Sequence, residues 1–320
     1  MHGHLACGVT SLFVGDLAVA RVHLEQAVAH YVGDEHQAHA PRFGQDARVT
    51  GLANLGNALW LLGFPDQALA TTRAAVRWAE QLSHPHSLAL ALFFTAVVHQ
   101  RCREAEAVRD LSATLLRIAG QQGFQFWAAG GMILQGWALV ELGAPAEGIA
   151  RLRRGLADWR ATGAGVNQPY YLALLAEALG TTGQPEEGLA VLSEALSLVC
   201  DTGERFYEAE LHRLRGELLL RLAPGGVGRR TTGAKVPPPR VPRPHRTQAE
   251  NCFRQAITLA RRQGAKSLEL RALLSQARLV GHQGSPTAIR LQLEEVYGWF
   301  TEGFDTADLQ EAKAGEGRSS

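Results

Sequence analysis

The chain contains 320 residues, of which 46% are apolar, enough to build a continuous core. Lysines and arginines number 32 and acidic residues 31, so the formal net charge of +1 gives no electrostatic reason to expect nucleic-acid binding. The N-terminus has no signal-peptide pattern, and no apolar run is long enough to cross a bilayer. We therefore expect a cytoplasmic protein without membrane contact.

A three-residue pattern recurs along the chain: a small residue, a turn residue seven positions later, and a small residue five positions after that. A period of about 40 residues that encodes two helices is typical of an α-solenoid. The sequence therefore predicts an all-α superhelix of about seven helix hairpins. The copies are Gly8, Gly15 and Ala20; Gly56, Gly63 and Ala68; Thr95, Cys102 and Ala107; Gly136, Gly143 and Gly148; Ala176, Gly183 and Gly188; Gly216, Ala223 and Ala249; and Ala277, Gly284 and Ile289.

The second copy shows how such a hairpin forms. Leucines at three- and four-residue steps from Leu52 make one apolar helical stripe. Gly63 is placed to end this helix, and Pro65 is placed in the first turn of the next, where its missing N–H costs no hydrogen bond. We expect Gly56 to face Ala68 across the hairpin, because a larger side chain would hold the two helices apart.

Two segments interrupt the pattern, and a third follows its end. Residues 31–50 are polar and rich in histidine, and we expect an extended loop followed by a helical turn. Residues 224–246 are rich in proline and glycine and carry six basic and no acidic residues, so we expect a disordered insertion within the sixth hairpin. The predicted repeat domain therefore covers residues 1–313, and residues 314–320 form a disordered tail.

The segment from Leu52 to Leu69 resembles a tetratricopeptide repeat. Segments such as those at 123–131, 202–220 and 296–313 resemble the C-terminal repeat region of large bacterial signalling proteins. Those proteins join a class III adenylate or guanylate cyclase, or another effector, to a STAND-type ATPase. The resemblance implies a tetratricopeptide-like sensor region whose partner is an ATPase or cyclase domain. The chain begins inside its first repeat, so we expect the sensor end of a longer protein or a stand-alone or truncated relative.

The resemblance also implies which residues contact a partner, because the first helix of each tetratricopeptide pair lines the concave face. Two tryptophans among a few polar groups suit a peptide or a small ligand. The position of Asn57 matches one that holds a peptide carboxylate in some tetratricopeptide domains, and Arg213 is the one basic residue on the predicted face. The candidate partner-binding residues are Asn57, Trp60, His99, Trp137, Glu177, Arg213 and Glu217.

Catalytic and metal-binding patterns are weak. Gly228, Gly233 and Lys235 approach a phosphate loop, but the lysine is displaced by one position and no Ser or Thr follows it. The close histidine pairs lack zinc-site spacing, and the four cysteines form no C-x-x-C pair, so we expect reduced, buried thiols. The sequence predicts no catalytic residue, metal or cofactor.

These observations predict a non-catalytic protein-interaction or sensor module. Two alternatives remain open: a regulatory domain that senses a small molecule, and a residual nucleotide-binding enzyme.

Overall fold

The computed structural model describes residues 1–32, 44–222, 243–281 and 287–316, and in these ranges it contains fifteen α-helices and no strand. The helices are α1 (His2–Val14), α2 (Leu17–Ala29), α3 (Ala47–Leu62), α4 (Pro65–Leu82), α5 (Pro85–Arg101), α6 (Ala105–Gln122), α7 (Gln125–Glu141), α8 (Pro145–Ala161), α9 (Gln168–Thr181), α10 (Pro185–Thr202), α11 (Glu208–Arg221), α12 (Arg243–Gln263), α13 (Lys266–Gly281), α14 (Thr287–Tyr297) and α15 (Ala307–Glu316).

Helices α1 to α14 pair in chain order into seven hairpins, and α15 follows the last of them. The predicted all-α, tetratricopeptide-like solenoid is confirmed. At the second hairpin, Gly63 ends α3 with a φ of 96°, and Pro65 is the first residue of α4. A Cβ on Gly56 would lie 2.3 Å from Cγ2 of Thr72 and 3.0 Å from the carbonyl oxygen of Ala68. The small residues of the repeat pattern therefore let the paired helices approach closely.

The hairpins form two layers. The first helix of each hairpin, which is an odd-numbered helix from α1 to α13, contributes to the inner face. Most of these helices are apolar on nearly every side. On α5, for example, 13 of the 17 residues are buried. The second helices are amphipathic and cover the outside. Charged side chains are also buried on some of the first helices, including Arg101 on α5, Glu210 and Arg213 on α11, and Arg271 on α13.

The inner layer closes on itself. Each first helix packs against the next, and α13 packs back against α3. At this closure the hydroxyl of Ser267 donates a 2.6 Å hydrogen bond to the carbonyl oxygen of Trp60. Beyond α14, the carboxylate of Glu302 accepts hydrogen bonds from the backbone and side chain of Gln67 on α4. The first helices therefore enclose a narrow interior instead of lining an open groove.

The structure corrects two predicted boundaries. Helix α12 begins at Arg243, so residues 243–246 of the predicted insertion are helical; Pro244 falls in the first helical turn, where proline is tolerated. Helix α15 continues to Glu316, past the predicted end of the domain. Four parts of the predicted pattern lie outside the described residues. They are the rest of the predicted insertion with its Lys235, residues 33–43 of the predicted loop, Gly284, and the last four residues of the chain.

The expectation of four buried thiols is wrong for two of them. Cys102 is buried and Cys252 is half-buried, but Cys7 and Cys200 are exposed. Cys7 lies on α1, which has a neighbouring first helix on one side only, and Cys200 lies on the outer helix α10. None of the described helices is long and apolar enough to cross a membrane.

Candidate ligand-binding interior

Two clefts open on the inner face. The first is a narrow cleft with room for about one water molecule. Its lining comes from α1, α3, α5 and α9 and from the residues that lead into α9 and α11. The lining is largely aromatic and aliphatic, with few polar side chains. It consists of Leu12, Phe13, Asn57, Phe93, Phe94, Val97, Arg101, Asn167, Tyr170 and Phe206.

Arg101, the last residue of α5, is the one cation in the described lining of this first cleft. Its side chain is buried, and its Nη1 donates a 2.9 Å hydrogen bond to Oδ1 of Asn57. Asn57 is itself oriented by a 2.9 Å hydrogen bond from its Nδ2 to the carbonyl oxygen of Ala53. A buried guanidinium and an oriented amide therefore stand together on an otherwise apolar wall.

Aromatic rings surround the Arg101 guanidinium. Its central carbon lies between 5.4 and 5.6 Å from the ring centroids of Trp60, Tyr170, Phe206 and Tyr207. Ring faces attract a cation but carry no net charge. Burial accordingly lowers the pKa of Arg101 from its ordinary value.

The second cleft is as narrow as the first, and its lining is polar. Burial raises the pKa of Glu141, and repulsion from Glu177 raises it further. The indole Nε1 of Trp137 is buried and has no hydrogen-bond partner among the described residues. The lining consists of Gln100, Arg103, Trp137, Glu141, Glu177, Tyr207, Glu210 and Arg271.

A buried network of ion pairs joins α11, α13 and α15 beside the second cleft. Arg213 donates to both carboxylate oxygens of Glu210, at 2.8 and 2.9 Å. Arg271 lies 3.7 Å from Glu210 and donates a 2.7 Å hydrogen bond to Asp308. Burial alone would raise the pKa of Glu210, but the charge and hydrogen bonds of Arg213 and the charge of Arg271 lower it to about 2. Two of the interior arginines are therefore neutralised by carboxylates.

The structure separates the predicted partner-binding residues into groups. Asn57 lines the first cleft, and Trp137 and Glu177 line the second. The other four line neither cleft: Trp60 packs under Arg101 and Arg271, His99 contacts Glu104, Arg213 pairs with Glu210, and Glu217 pairs with Arg278. That the seven residues contact a partner stays a prediction.

Sequence reasoning missed four residues of the interior: Arg101, Tyr170, Glu210 and Arg271. The last three occupy the same place in the repeat, six residues before its first small residue. The residues predicted to face inward form a stripe along each first helix. Extending this stripe by one helical turn toward the N-terminus of the helix would have found these three residues. Arg101 instead lies six residues after the first small residue of its repeat, and no sequence pattern indicated that it faces the interior.

No family model matches the sequence. One curated relative, an uncharacterized protein of Rhizobium meliloti (strain 1021), is 32% identical over 178 residues. The match covers 56% of this chain and 17% of the relative, so the chain spans well under two thirds of that protein's length.

Solved structures of similar shape include the apo form of RapI, with a TM-score of 0.53, 10% identity and 99% of each chain covered. NprR in complex with its cognate peptide NprX gives a TM-score of 0.55 and 12% identity, covering 100% of this chain and 88% of NprR. A Rap protein complexed with competence and sporulation factor gives 0.53 and 11%, covering 86% and 74%. At these identities the likeness concerns the fold, and it places the chain among tetratricopeptide-like helical-repeat structures.

Proposed function

We propose that the chain is a non-catalytic interaction or sensor module that binds a peptide segment of a partner on its inner face. The observation that carries this proposal is that both clefts are lined by the first helices or by residues directly beside their ends. The first cleft combines aromatic side chains with a few polar ones, and the second combines two aromatic side chains with six polar or charged ones. Both combinations are used in recognition sites.

Two structural neighbours support a peptide as the ligand. One Rap protein was solved with competence and sporulation factor, and NprR was solved with its cognate peptide NprX. Their fold is shared with this chain, and repeat proteins of this kind use the inner faces of their helices for binding.

The partner we propose is an effector of a bacterial signalling system, such as an ATPase or cyclase domain. The similarity of several segments to the repeat region of STAND-type signalling proteins supports this context. So does the rhizobial relative, in which the matching stretch is a small part of a much longer protein.

Binding to a displayed heptapeptide library tests the proposal. Peptides are first selected for binding to the whole chain. Their affinities for wild type and for Glu177→Lys are then measured by calorimetry; this substitution reverses a half-buried charge in the second cleft. We expect a loss of affinity of tenfold or more, because a misplaced charge on a recognition surface opposes binding. The matched control is Glu80→Lys on the outer helix α4, where Glu80 is exposed.

The control should bind the selected peptides within twofold of wild type. Equal affinities for wild type and both variants, with unchanged circular dichroism, would refute binding on the inner face.

A further inference from the structure

Two carboxylates of the second cleft have no cation of their own. Glu141 is exposed and Glu177 is half-buried, so both can be reached from solvent. Neither forms an ion pair or a hydrogen bond with another residue of the described chain. Burial raises the pKa of Glu141, and the charge of Glu177 raises it further, so the two carboxylates lie close enough to repel each other.

The guanidinium groups of the same cleft are engaged by other carboxylates. Arg271 pairs with Glu210 and Asp308, and Arg103 lies 3.4 Å from the same Asp308. The charge of Arg103 acts against the rise in the pKa of Glu141 without reversing it. The cleft therefore carries negative charge that its own arginines do not balance.

Aromatic side chains add a second incomplete contact to this cleft. Trp137 and Tyr207 line it together with the carboxylates, and an aromatic face attracts a cation. The Trp137 side chain is 3% exposed, and its indole N–H has no acceptor among the described residues. A buried donor without an acceptor is costly. The cleft therefore lacks one cation and one hydrogen-bond acceptor.

The narrowness of the cleft limits which cation can enter. There is room for about one water molecule. A lysine ammonium is a compact point charge of about that size on a flexible stem, whereas the guanidinium of arginine is planar and wider. The ammonium also carries three donors, enough to serve both carboxylates at once. Its methylene stem can stay outside, over the mouth of the cleft.

We propose that the second cleft receives the ammonium group of a lysine in the bound partner segment, held between Glu141 and Glu177 beside the ring of Trp137. The inference rests on the proposed function, because a peptide supplies both missing groups. Its lysine side chain brings the cation, and a backbone carbonyl brings the acceptor for the indole N–H. The inner face thereby selects a segment by its lysine.

The test uses the full chain and matched peptides. Heptapeptides that contain one lysine are selected for binding to wild type, and each is synthesised again with norleucine or arginine in place of that lysine. Norleucine keeps the methylene stem and removes the charge. Affinities are measured by calorimetry on wild type, on the double variant Glu141→Gln with Glu177→Gln, and on the control Glu186→Gln. Glu186 is exposed on the outer helix α10 and has no ion pair among the described residues.

We expect wild type and the control to bind the lysine peptide about tenfold more tightly than the norleucine peptide, and more tightly than the arginine peptide. The double variant should lose this preference. Its melting temperature should stay at or above that of wild type, because the substitutions remove two carboxylates that repel each other. A lysine preference that survives in the double variant would place the contact elsewhere and overturn the proposal.

The remaining outcomes separate this site from the proposed function. Peptides that bind equally well with lysine and with norleucine would overturn the lysine site and leave peptide binding standing. A preference for arginine over lysine would overturn the argument from size, and the ammonium site with it. Failure to select any heptapeptide would overturn both the proposed function and the lysine site.

Discussion

Replacing Glu210 by glutamine removes a carboxylate that two buried arginines share, with almost no change in shape. Arg213 donates two hydrogen bonds to Glu210, and Arg271 lies 3.7 Å from it. A glutamine keeps one acceptor oxygen but carries no charge. In the variant, two cations remain close together in the interior, and Arg271 keeps its contact with Asp308.

Two lines of reasoning give the size of the effect. Removing one partner of a buried ion pair costs about 3–5 kcal/mol, since it leaves an uncompensated charge. The pKa of Glu210 falls from 4.5 to about 2, and each tenfold change in ionisation corresponds to about 1.4 kcal/mol, which gives about 3 kcal/mol. We therefore expect Glu210→Gln to lower the free energy of unfolding by about 3 kcal/mol at pH 7.

The assay is urea unfolding followed by circular dichroism, with Glu187→Gln as the control. Glu187 forms a 2.6 Å ion pair with Arg153 on the outer surface, and exposed pairs contribute at most about 1 kcal/mol. A depressed carboxylate pKa stabilises the folded chain above the unfolded pKa. The difference between wild type and Glu210→Gln should therefore be full above pH 4.5 and disappear as the pH falls toward 2. A cost no larger than that of Glu187→Gln would refute the reasoning.

Three further predictions follow from packing and ionisation. Gly136→Ala should lower the free energy of unfolding in urea by about 1–3 kcal/mol, because the added Cβ would lie 2.8 Å from backbone atoms of α8. Gly120→Ala has open space around it and should raise the same free energy by up to about 1 kcal/mol. Burial raises the pKa of Glu204 to about 7, so wild type should lose stability as the pH rises from 4.5 through 7, and Glu204→Gln should flatten that part of a melting-temperature profile. Iodoacetamide should label exposed Cys200 in the native chain and leave Cys102 unmodified, because burial raises the pKa of Cys102 to about 12.

Each of these has a clear contrary result. Equal unfolding energies for the two glycine variants would argue against the close helix approach at Gly136. A Glu204→Gln profile parallel to wild type would place the titrating group elsewhere. Native labelling of Cys102 at the rate of Cys200, read by mass spectrometry, would show that the interior opens to solvent.

The hairpins could be predicted because their determinants are local. Gly56 and Ala68 mark the close approach of one helix pair, and Gly63 and Pro65 mark the turn between its helices. Backbone conformation and helix period fix these features within about 20 residues. The same signals repeat along the chain, so the number of hairpins followed from counting them.

The closure of the inner layer was not predictable in this way. It depends on a small rotation between successive hairpins that accumulates over six of them, and no single residue encodes it. Trp60 looked like a concave-face residue by its repeat position, yet the closure covers it with Arg271 from a hairpin far along the sequence. Arg101 was not predicted as an interior residue either, because only the folded interior shows which charged side chains have partners.

The hydrogen bond between Ser267 and Trp60 joins residues 207 positions apart. In an open solenoid, contacts are short-range, folding can start at any repeat, and the ends fray independently. Contact between α13 and α3 adds pairs of long sequence separation and makes the second to seventh hairpins neighbours in a cycle. We expect this closure to couple the hairpins during unfolding, so that a perturbation at any one of them propagates in both directions around the ring.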